Sequence, residues 1–472
     1  MGAAGQRQHV VIVGAGSAGC VLASRLSEDP RRHVLLLEAG PDVEPGGERD
    51  DSFFAPLGAP GRTYADVQAV RTRDATPSPY ILGRGVGGSS AVNAMLGTWG
   101  MPSDYDHWER DLGCTGWSWR DVAPVFADLL IPLSRPDAHE WGAVDRALVD
   151  AAVALGHPRS TGPAPGTLGA GAAWLTRANG RRVSAADAYL APARPRPNLT
   201  VRADATVARI VMDGRVAVGV ELADGEQIEA AEVVLAAGAI HSPALLLASG
   251  VDRSGIGSGL KDHVSATLVL HLREPADTRR LAAATLLRWS SGDGDGDLQL
   301  LPMNHVGHPD HGALVAGVMS VHSSGSVGLR DGRPYVQFDM LSDERDFVRL
   351  REAARHTIAL ADSGPFRHVA DRVLIDDVGT PVEALAEDEG FDAWLRGRVG
   401  DYVHASSSCR MGPFDHPGAV VDTAGRVHEH RNLRVCDASV FPDLPAANVH
   451  LPTVMVAERI ARAMSAVSPS SL

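Results

Sequence analysis

Cysteine is scarce in this chain: Cys20, Cys114, Cys409 and Cys436 are the four among 472 residues. They form no CxxC pair and no regular spacing, which argues against a zinc site or a disulfide framework and fits a reducing cytoplasm. Positive charge is also short. Asp and Glu number 58 against 44 Lys and Arg, a net charge of -14, so neither nucleic acid nor an anionic membrane surface is an expected partner. No apolar run is long and clean enough to cross a bilayer: the most apolar stretch, VVLAAGAIHSPALLLASGV, is broken by His241, Ser242 and Pro243. The N-terminus, MGAAGQRQHVVIVGAG, lacks the h-region of a signal peptide and, with Gln6 where Ser or Thr is wanted, a myristoylation signal. No internal repeat is found.

What the chain does have is length and patterning. At 44% hydrophobic and 22% charged it has a globular composition with room for a large core, and two or three structural units are expected. HVVIV, residues 9 to 13, is a continuous β-branched run typical of a buried parallel strand, and GAGSAG and the helix-like CVLASRLSE follow it. A second strand, HVLLLEAG, ends at Glu38. Strand, glycine turn, helix and strand in that order predict a doubly wound α/β domain. That domain resumes later in the chain: LTVRADATVARIVM and AVGVELA read as paired strands, AEVVLAAGA and LRVCDASV as buried strands, and PTVMVAERIARAM as a closing helix. Between about residues 266 and 400, VSATLVLHL and PYVQFDML read as strands and ERDFVRLREAARHTIALA as a helix, predicting a second, antiparallel sheet carrying helices.

In GAGSAG, Gly14 allows the tight turn, Gly16 lets the backbone approach a pyrophosphate and Gly19 permits close helix-strand packing. Glu38 stands at the spacing needed for ribose hydroxyls and disfavours a 2'-phosphate, so NADP is unexpected; this fingerprint does not separate NAD from FAD. The segment GRGVGGSSAVNAM, residues 83 to 95, decides. Its Gly85, Gly87, Gly88, Ser89 and Ser90 predict an extended backbone able to lie flat against a large planar ligand, with Asn93 facing the ring system.

Two metal-like patterns are weaker. ARPRPN and SGDGDGD read as loops; Asp293, Asp295 and Asp297 in the latter alternate, but Leu298 and Asn304 stand where an EF-hand needs Gly and Glu, so a turn is expected. His305, His308 and His311 with Asp310 lie in NHVGHPDHG, where glycine and proline predict a substrate-facing loop rather than a metal site. No metal is expected.

Five blocks carry a family resemblance. They are GAGSAG with Glu38; GRGVGGSSAVN; NGRRVSAADAYL; GAIHSPALLLASG leading to GLKDH; and DYVHASSSCRMG with CDASVFPDLPAANVHLPT. In that order, over nearly the whole length, they resemble the glucose-methanol-choline (GMC) family of flavoprotein oxidoreductases. The resemblance implies an α/β fold with a Rossmann-like FAD-binding domain and a second, substrate-binding domain built on an antiparallel sheet flanked by helices. Residues 7–265 and 405–466 would form the FAD-binding domain, with substrate-domain insertions near 105–180, and residues 266–404 the substrate-binding domain. The implied cofactor set is Gly14, Gly16, Ser17, Gly19, Glu38, Arg84, Gly87, Gly88, Ser89, Asn93, Val207, Asp437, Ala438 and His450. Within it, Val207 is assigned to the adenine end, Asp437 to the ribityl chain, and Asn93 with Gly87 to Ser89 to the isoalloxazine.

The chain also departs from the family. Ala91 stands where members with covalently attached FAD have histidine, which implies a non-covalent flavin. Ser407 and Ser408 replace the usual glycine-threonine pair after the first C-terminal histidine. Trimming between Ser249 and Gly257 and in the substrate domain implies a more open active site. The short form and GTWGMPSDYDHWE are similar to the mycofactocin-associated subgroup, which tilts the expectation from oxidase towards dehydrogenase.

The chemistry implied is oxidation of a small-molecule alcohol, with oxygen or another redox carrier as electron acceptor. Removing the hydroxyl proton makes the carbon a better hydride donor to the flavin, and a neutral histidine suits that task. His404 and His450 match the two family positions, His404 as the main proton acceptor and His450 as its hydrogen-bonding partner. A lyase with structural FAD, or a flavin-binding protein without turnover, are the alternatives on the same fold.

Overall fold

The computed structural model describes residues 8–42, 52–160, 167–292, 294–376 and 378–466. Gln6, Arg7 and Asp293, on which three of the readings above touch, lie outside them. Val10, Val11, Ile12 and Val13 are buried because their strand, Gln8–Val13, is the middle of a sheet. It pairs in parallel with Val34–Leu37 on one side and Gln227–Leu235 on the other. A strand covered on both faces has no solvent side to mark with polar residues, hence the unbroken apolar run. Leu199–Arg202 extends this parallel sheet beyond Val34–Leu37, and Leu433–Val435 pairs in parallel with Gln227–Leu235.

The run LTVRADATVARIVM is not a single strand. Leu199–Arg202 joins the parallel edge, whereas Val207–Asp213 pairs antiparallel with Val216–Leu222 at the far end of the sheet. The break is at Asp204, which adopts φ 52. There the backbone N–H groups of Asp204 and Ala205 donate to the carbonyls of Gly40 and Glu38 at 2.9 and 2.8 Å. The turn is therefore fastened to the loop that carries Glu38.

Two helices pack together on this sheet, Ser17–Leu26 after the glycine turn and His450–Ser465 near the C-terminus. Arg25 joins them, donating from Nε and Nη2 to the nearly buried Glu458 carboxylate at 3.0 and 2.8 Å.

The second sheet is antiparallel. Its order is Ala370–Leu374, Val264–Leu272, His311–Val318, Leu298–Met303, Thr285–Trp289 and Gly169–Ala172. Glu344–Ala361 and Ala143–Ala154 bury Leu350 and Leu148 in its core. The stretch PYVQFDML is not part of it. Arg333–Gln337 belongs to a smaller sheet, pairing antiparallel with Gly325–Arg330 and parallel with Gln68–Val70. A partner lying more than 250 residues away in sequence leaves no local signature.

Among the described residues all four cysteines are free and buried, and no helix is long and apolar enough to cross a membrane. In the SGDGDGD loop, the Asp297 carboxylate accepts from Ser291 and pairs with Arg349 at 3.3 Å, as a turn anchor does.

Candidate active site

One cavity of about 640 Å³, well within the size range of small-molecule sites, is walled by both sheets. From the first come Gly14, Gly16, Ser17, Glu38, Val207 and Asp437; from the second, Leu301, Met303 and Val315. Val449, beside His450, packs against both hydrophobic cores.

Gly19 and Gly16 of the turn are small for different reasons. A Cβ on Gly19 would lie 1.8 Å from the Gly14 carbonyl, so this residue lets helix and turn touch. A Cβ on Gly16 would meet nothing within 4 Å and would enter the cavity instead. No side chain caps the helix Ser17–Leu26, which leaves its first N–H groups and positive dipole end to a ligand. That is the cradle a pyrophosphate needs.

Glu38 is 6% exposed and holds this region together. Its Oε2 accepts from the N–H of Ala15 at 2.8 Å, and its Oε1 from Gly40 and Gly85 at 2.9 and 3.0 Å. Oε2 retains a lone-pair direction for a ribose hydroxyl. Arg84, also on the cavity wall, donates to the Ala39 carbonyl at 2.7 Å.

The segment after Arg84 is not extended. Gly85, Gly87 and Gly88 adopt φ of 94, 95 and 51, and Gly88–Ala91 forms a tight helical turn. Gly88 N–H donates to Gly85 O at 2.8 Å and Ser90 Oγ to Gly87 O at 2.6 Å, which closes the turn. Ser89 accepts from Gly83 N–H through its Oγ at 3.1 Å. Positive φ, open to glycine at little steric cost, coils the segment where an extended one was expected. Asn93 lines the cavity, its Oδ1 accepting from Met95 N–H at 2.9 Å and from Arg182 Nη1 at 2.8 Å.

Asp437 and Ala438 lie on the cavity wall just past Leu433–Val435. The Asp437 carboxylate accepts from Gly238 N–H, Ser242 Oγ and Ser439 N–H at 2.9, 2.6 and 2.8 Å, tying two turns together, while burial raises its pKa. Val207 is the first residue of its strand and half-buried at the cavity edge.

His404 and His450 reach the same cavity from different elements. His404 sits on a loop whose backbone is fixed by Asp262: Oδ1 accepts the His404 N–H at 3.0 Å, and Tyr80 donates to Oδ2 at 2.6 Å. Three residues on, Ser407 adopts φ 66, so the position usually held by glycine keeps a left-handed backbone without one. His450 opens its helix, with Nδ1 3.0 Å from Ser17 Oγ, which links it to the glycine turn. Its buried Nε2 has no hydrogen-bond partner among the described residues. Burial brings His404 down to about 3 and, with Arg182 nearby, His450 down to about 4. Both rings are neutral at pH 7.

Several residues at the site lie inside the quoted motif blocks without having been singled out there. Asn448 faces His404, with Nδ2 3.4 Å from Nε2; Arg182 holds Asn93; and His263, in GLKDH, lies 2.8 Å from His404 through the two Nδ1 atoms. The His305 group does not converge. His305 turns inward to the Arg280 carbonyl at 3.2 Å, while His308 and His311 stay together with ring centroids 5.1 Å apart. Met303 lines the cavity but residues 304–312 do not, so that loop does not face it.

A glycine turn at a helix N-terminus and two neutral histidines thus line one cavity. The GMC oxidoreductase family models match residues 8–265 and 321–457, and the chain belongs to the GMC oxidoreductases, FAD-binding enzymes that oxidise alcohols. It is 34% identical to 5-(hydroxymethyl)furfural oxidase of Methylovorus sp. (strain MP688), over 96% of this chain and 98% of that protein. It is 33% identical to an oxygen-dependent choline dehydrogenase of Paraburkholderia phymatum, over 97% and 92%. The crystal structure of pyridoxine 4-oxidase from Mesorbium loti superposes with a TM-score of 0.89 at 28% identity, covering 98% of this chain and 100% of that one.

Proposed function

We propose that this enzyme oxidises an uncharged alcohol with an apolar body, His404 taking the hydroxyl proton and His450 holding the substrate oxygen. The observation that carries this reading is the buried His450 Nε2, which has no hydrogen-bond partner among the described residues and belongs to a residue lining the same cavity as His404. Native interiors rarely leave such an atom unsatisfied, and a substrate oxygen would pair with it. FAD, when bound, accepts the hydride that leaves the carbinol carbon. Gly14, Gly16, Ser17, Gly19, Glu38, Arg84, Gly87, Gly88, Ser89, Asn93, Val207, Asp437 and Ala438 are the residues proposed to hold it. An imidazolium alone in so buried a site is costly; the alkoxide formed beside it offsets the charge, so proton uptake is tied to the substrate.

The substrate class comes from the opposite wall. Phe53, Met95, Leu281, Leu301, Met303 and Val315 are apolar, and Asp401 at the edge is already paired with Arg71. A quaternary ammonium is best held by aromatic faces; of these six only Phe53 is aromatic, while Tyr64 and Tyr402, which also line the cavity, are packed against His241 and His404. Leu281, Leu301, Met303 and Val315 on this wall support residues 266–404 as the substrate unit, beside a cofactor unit of 7–265 and 405–466 with substrate-unit insertions near 105–180; Phe53 and Met95 reach the wall from the cofactor unit. Ala91, after the paired serines, supports a non-covalent flavin. The short chain and GTWGMPSDYDHWE support a carrier other than oxygen as acceptor, and four free buried cysteines support a reducing compartment.

Anaerobic mixing of the yellow holoenzyme with a panel of primary alcohols tests this. Uncharged alcohols, 5-(hydroxymethyl)furfural among them, are expected to bleach the flavin, and choline to do so at least 10-fold more slowly. Air admitted afterwards should restore the colour slowly. A panel that leaves the flavin oxidised would favour the lyase alternative, and faster bleaching by choline would overturn the substrate class.

A further inference from the structure

His263 is fully buried and stands outside the reaction just described. Its Nε2 lies 3.2 Å from the Pro445 carbonyl and its Nδ1 2.8 Å from His404 Nδ1. A carbonyl only accepts, so His263 Nε2 carries a hydrogen. Burial, with His404 and Arg288 nearby, pushes the His263 pKa well below the usual histidine value, so the ring is neutral and has no second hydrogen. Its Nδ1 is then a bare lone pair. Two lone pairs do not face each other at hydrogen-bond distance, so the hydrogen between the rings belongs to His404 Nδ1. A neutral His404 has only that one, and its Nε2 is left as an acceptor on the cavity side.

The far side of His404 agrees. Asn448 N–H donates to Thr98 Oγ1 at 2.8 Å, and Thr98 Oγ1 donates in turn to Asn448 Oδ1 at 3.2 Å. This turns the amide Nδ2, which only donates, toward His404 Nε2 at 3.4 Å, the orientation that a lone pair there requires. The His263 and His404 rings meet at an interplanar angle of 89°, so the lone pair of one points at the edge of the other.

We propose that His263 is a positioning residue that locks His404 in its Nδ1–H tautomer, leaving Nε2 as the atom that receives the hydroxyl proton. The inference rests on His404 being the base. In the step, the substrate O–H bond breaks as the Nε2–H bond forms, and the hydride goes to FAD. His404 becomes imidazolium with its Nδ1–H still directed at His263, whose own hydrogen stays on Nε2, donated to the Pro445 carbonyl. No further proton has to move.

Histidine ¹⁵N NMR of the FAD-loaded full chain tests it, with His404→Ala used to assign the signals. The wild-type His404 is expected to show an unprotonated Nε2 and a protonated Nδ1. In His263→Phe, which keeps the ring shape without an acceptor, the tautomer should become mixed, and kcat should fall about 100-fold with flavin content unchanged. His263→Asn, which places an amide oxygen near the lost Nδ1, should recover the tautomer and bring kcat to within about 10-fold of wild type. A wild-type His404 protonated at Nε2, or a His263→Phe variant with unchanged tautomer and kcat, would overturn the inference. Should His263→Phe fail to fold, the wild-type spectrum and His263→Asn decide. Flavin reduction by His404→Ala at the wild-type rate, with the tautomer as stated, would overturn the base assignment alone.

Discussion

His404 and His450, the residues proposed to handle the substrate hydroxyl, also tie folding stability to pH. Their folded pKa values, about 3 and about 4, lie below that of an unfolded histidine, near 6.5. The unfolded chain therefore binds protons that the folded one refuses. Their contribution is complete above about pH 6.5 and is lost as pH falls toward 4 and then 3. Urea unfolding between pH 7 and pH 4 should show stability falling by a few kcal/mol, and replacing His450 with Asn should flatten part of that fall; a profile unchanged by the substitution would remove His450 from the effect. At this scale the motifs singled out His404, His450, Glu38, Gly14 and Gly16, which the structure brings to one cavity. They did not single out His263, Asn448 or Thr98, because their roles arise from contacts spanning 141, 44 and 350 positions.

At the scale of elements, the strand-turn-helix unit separates structural from ligand-facing glycines. Gly19→Ala drives a methyl against the Gly14 carbonyl and is expected to cost several kcal/mol, on the scale of core overpacking. Gly16→Ala has open space before it, so the fold should keep its melting temperature without FAD while FAD affinity falls about 100-fold, read by flavin titration. Equal loss of stability in both variants would contradict this. The helix pair offers a second test. Arg25→Ala leaves the nearly buried Glu458 carboxylate without its main partner and should cost about 3 kcal/mol; Glu458→Gln should cost less, since Arg25 still reaches Glu28. Helix Glu344–Ala361 was legible to its ends because an 18-residue stretch carries a clear period. The LTVRADATVARIVM run was misread because β-character continues across a turn that only the contact with the Glu38 loop reveals. The coil after Arg84 was misread because composition predicts glycine's freedom and not its choice of φ.

For the molecule as a whole, the parallel sheet was readable from strand order and its glycine turn, and the antiparallel one from its longest strands. Gly169–Ala172, within the insertion expected near 105–180, joins the second sheet, whereas the pairing of Gln68–Val70 with the smaller sheet stayed hidden. The cavity exists only once those long-range pairings form. In the proposed function its two walls would divide the work between polar cofactor contacts and an apolar substrate face, with both histidines lining the same cavity. Anaerobic stopped-flow reduction of His404→Ala, loaded with FAD and compared with wild type on the same alcohol, tests this arrangement most directly. The account predicts retained flavin and a reduction rate lower by about 100-fold or more; reduction at the wild-type rate would contradict it.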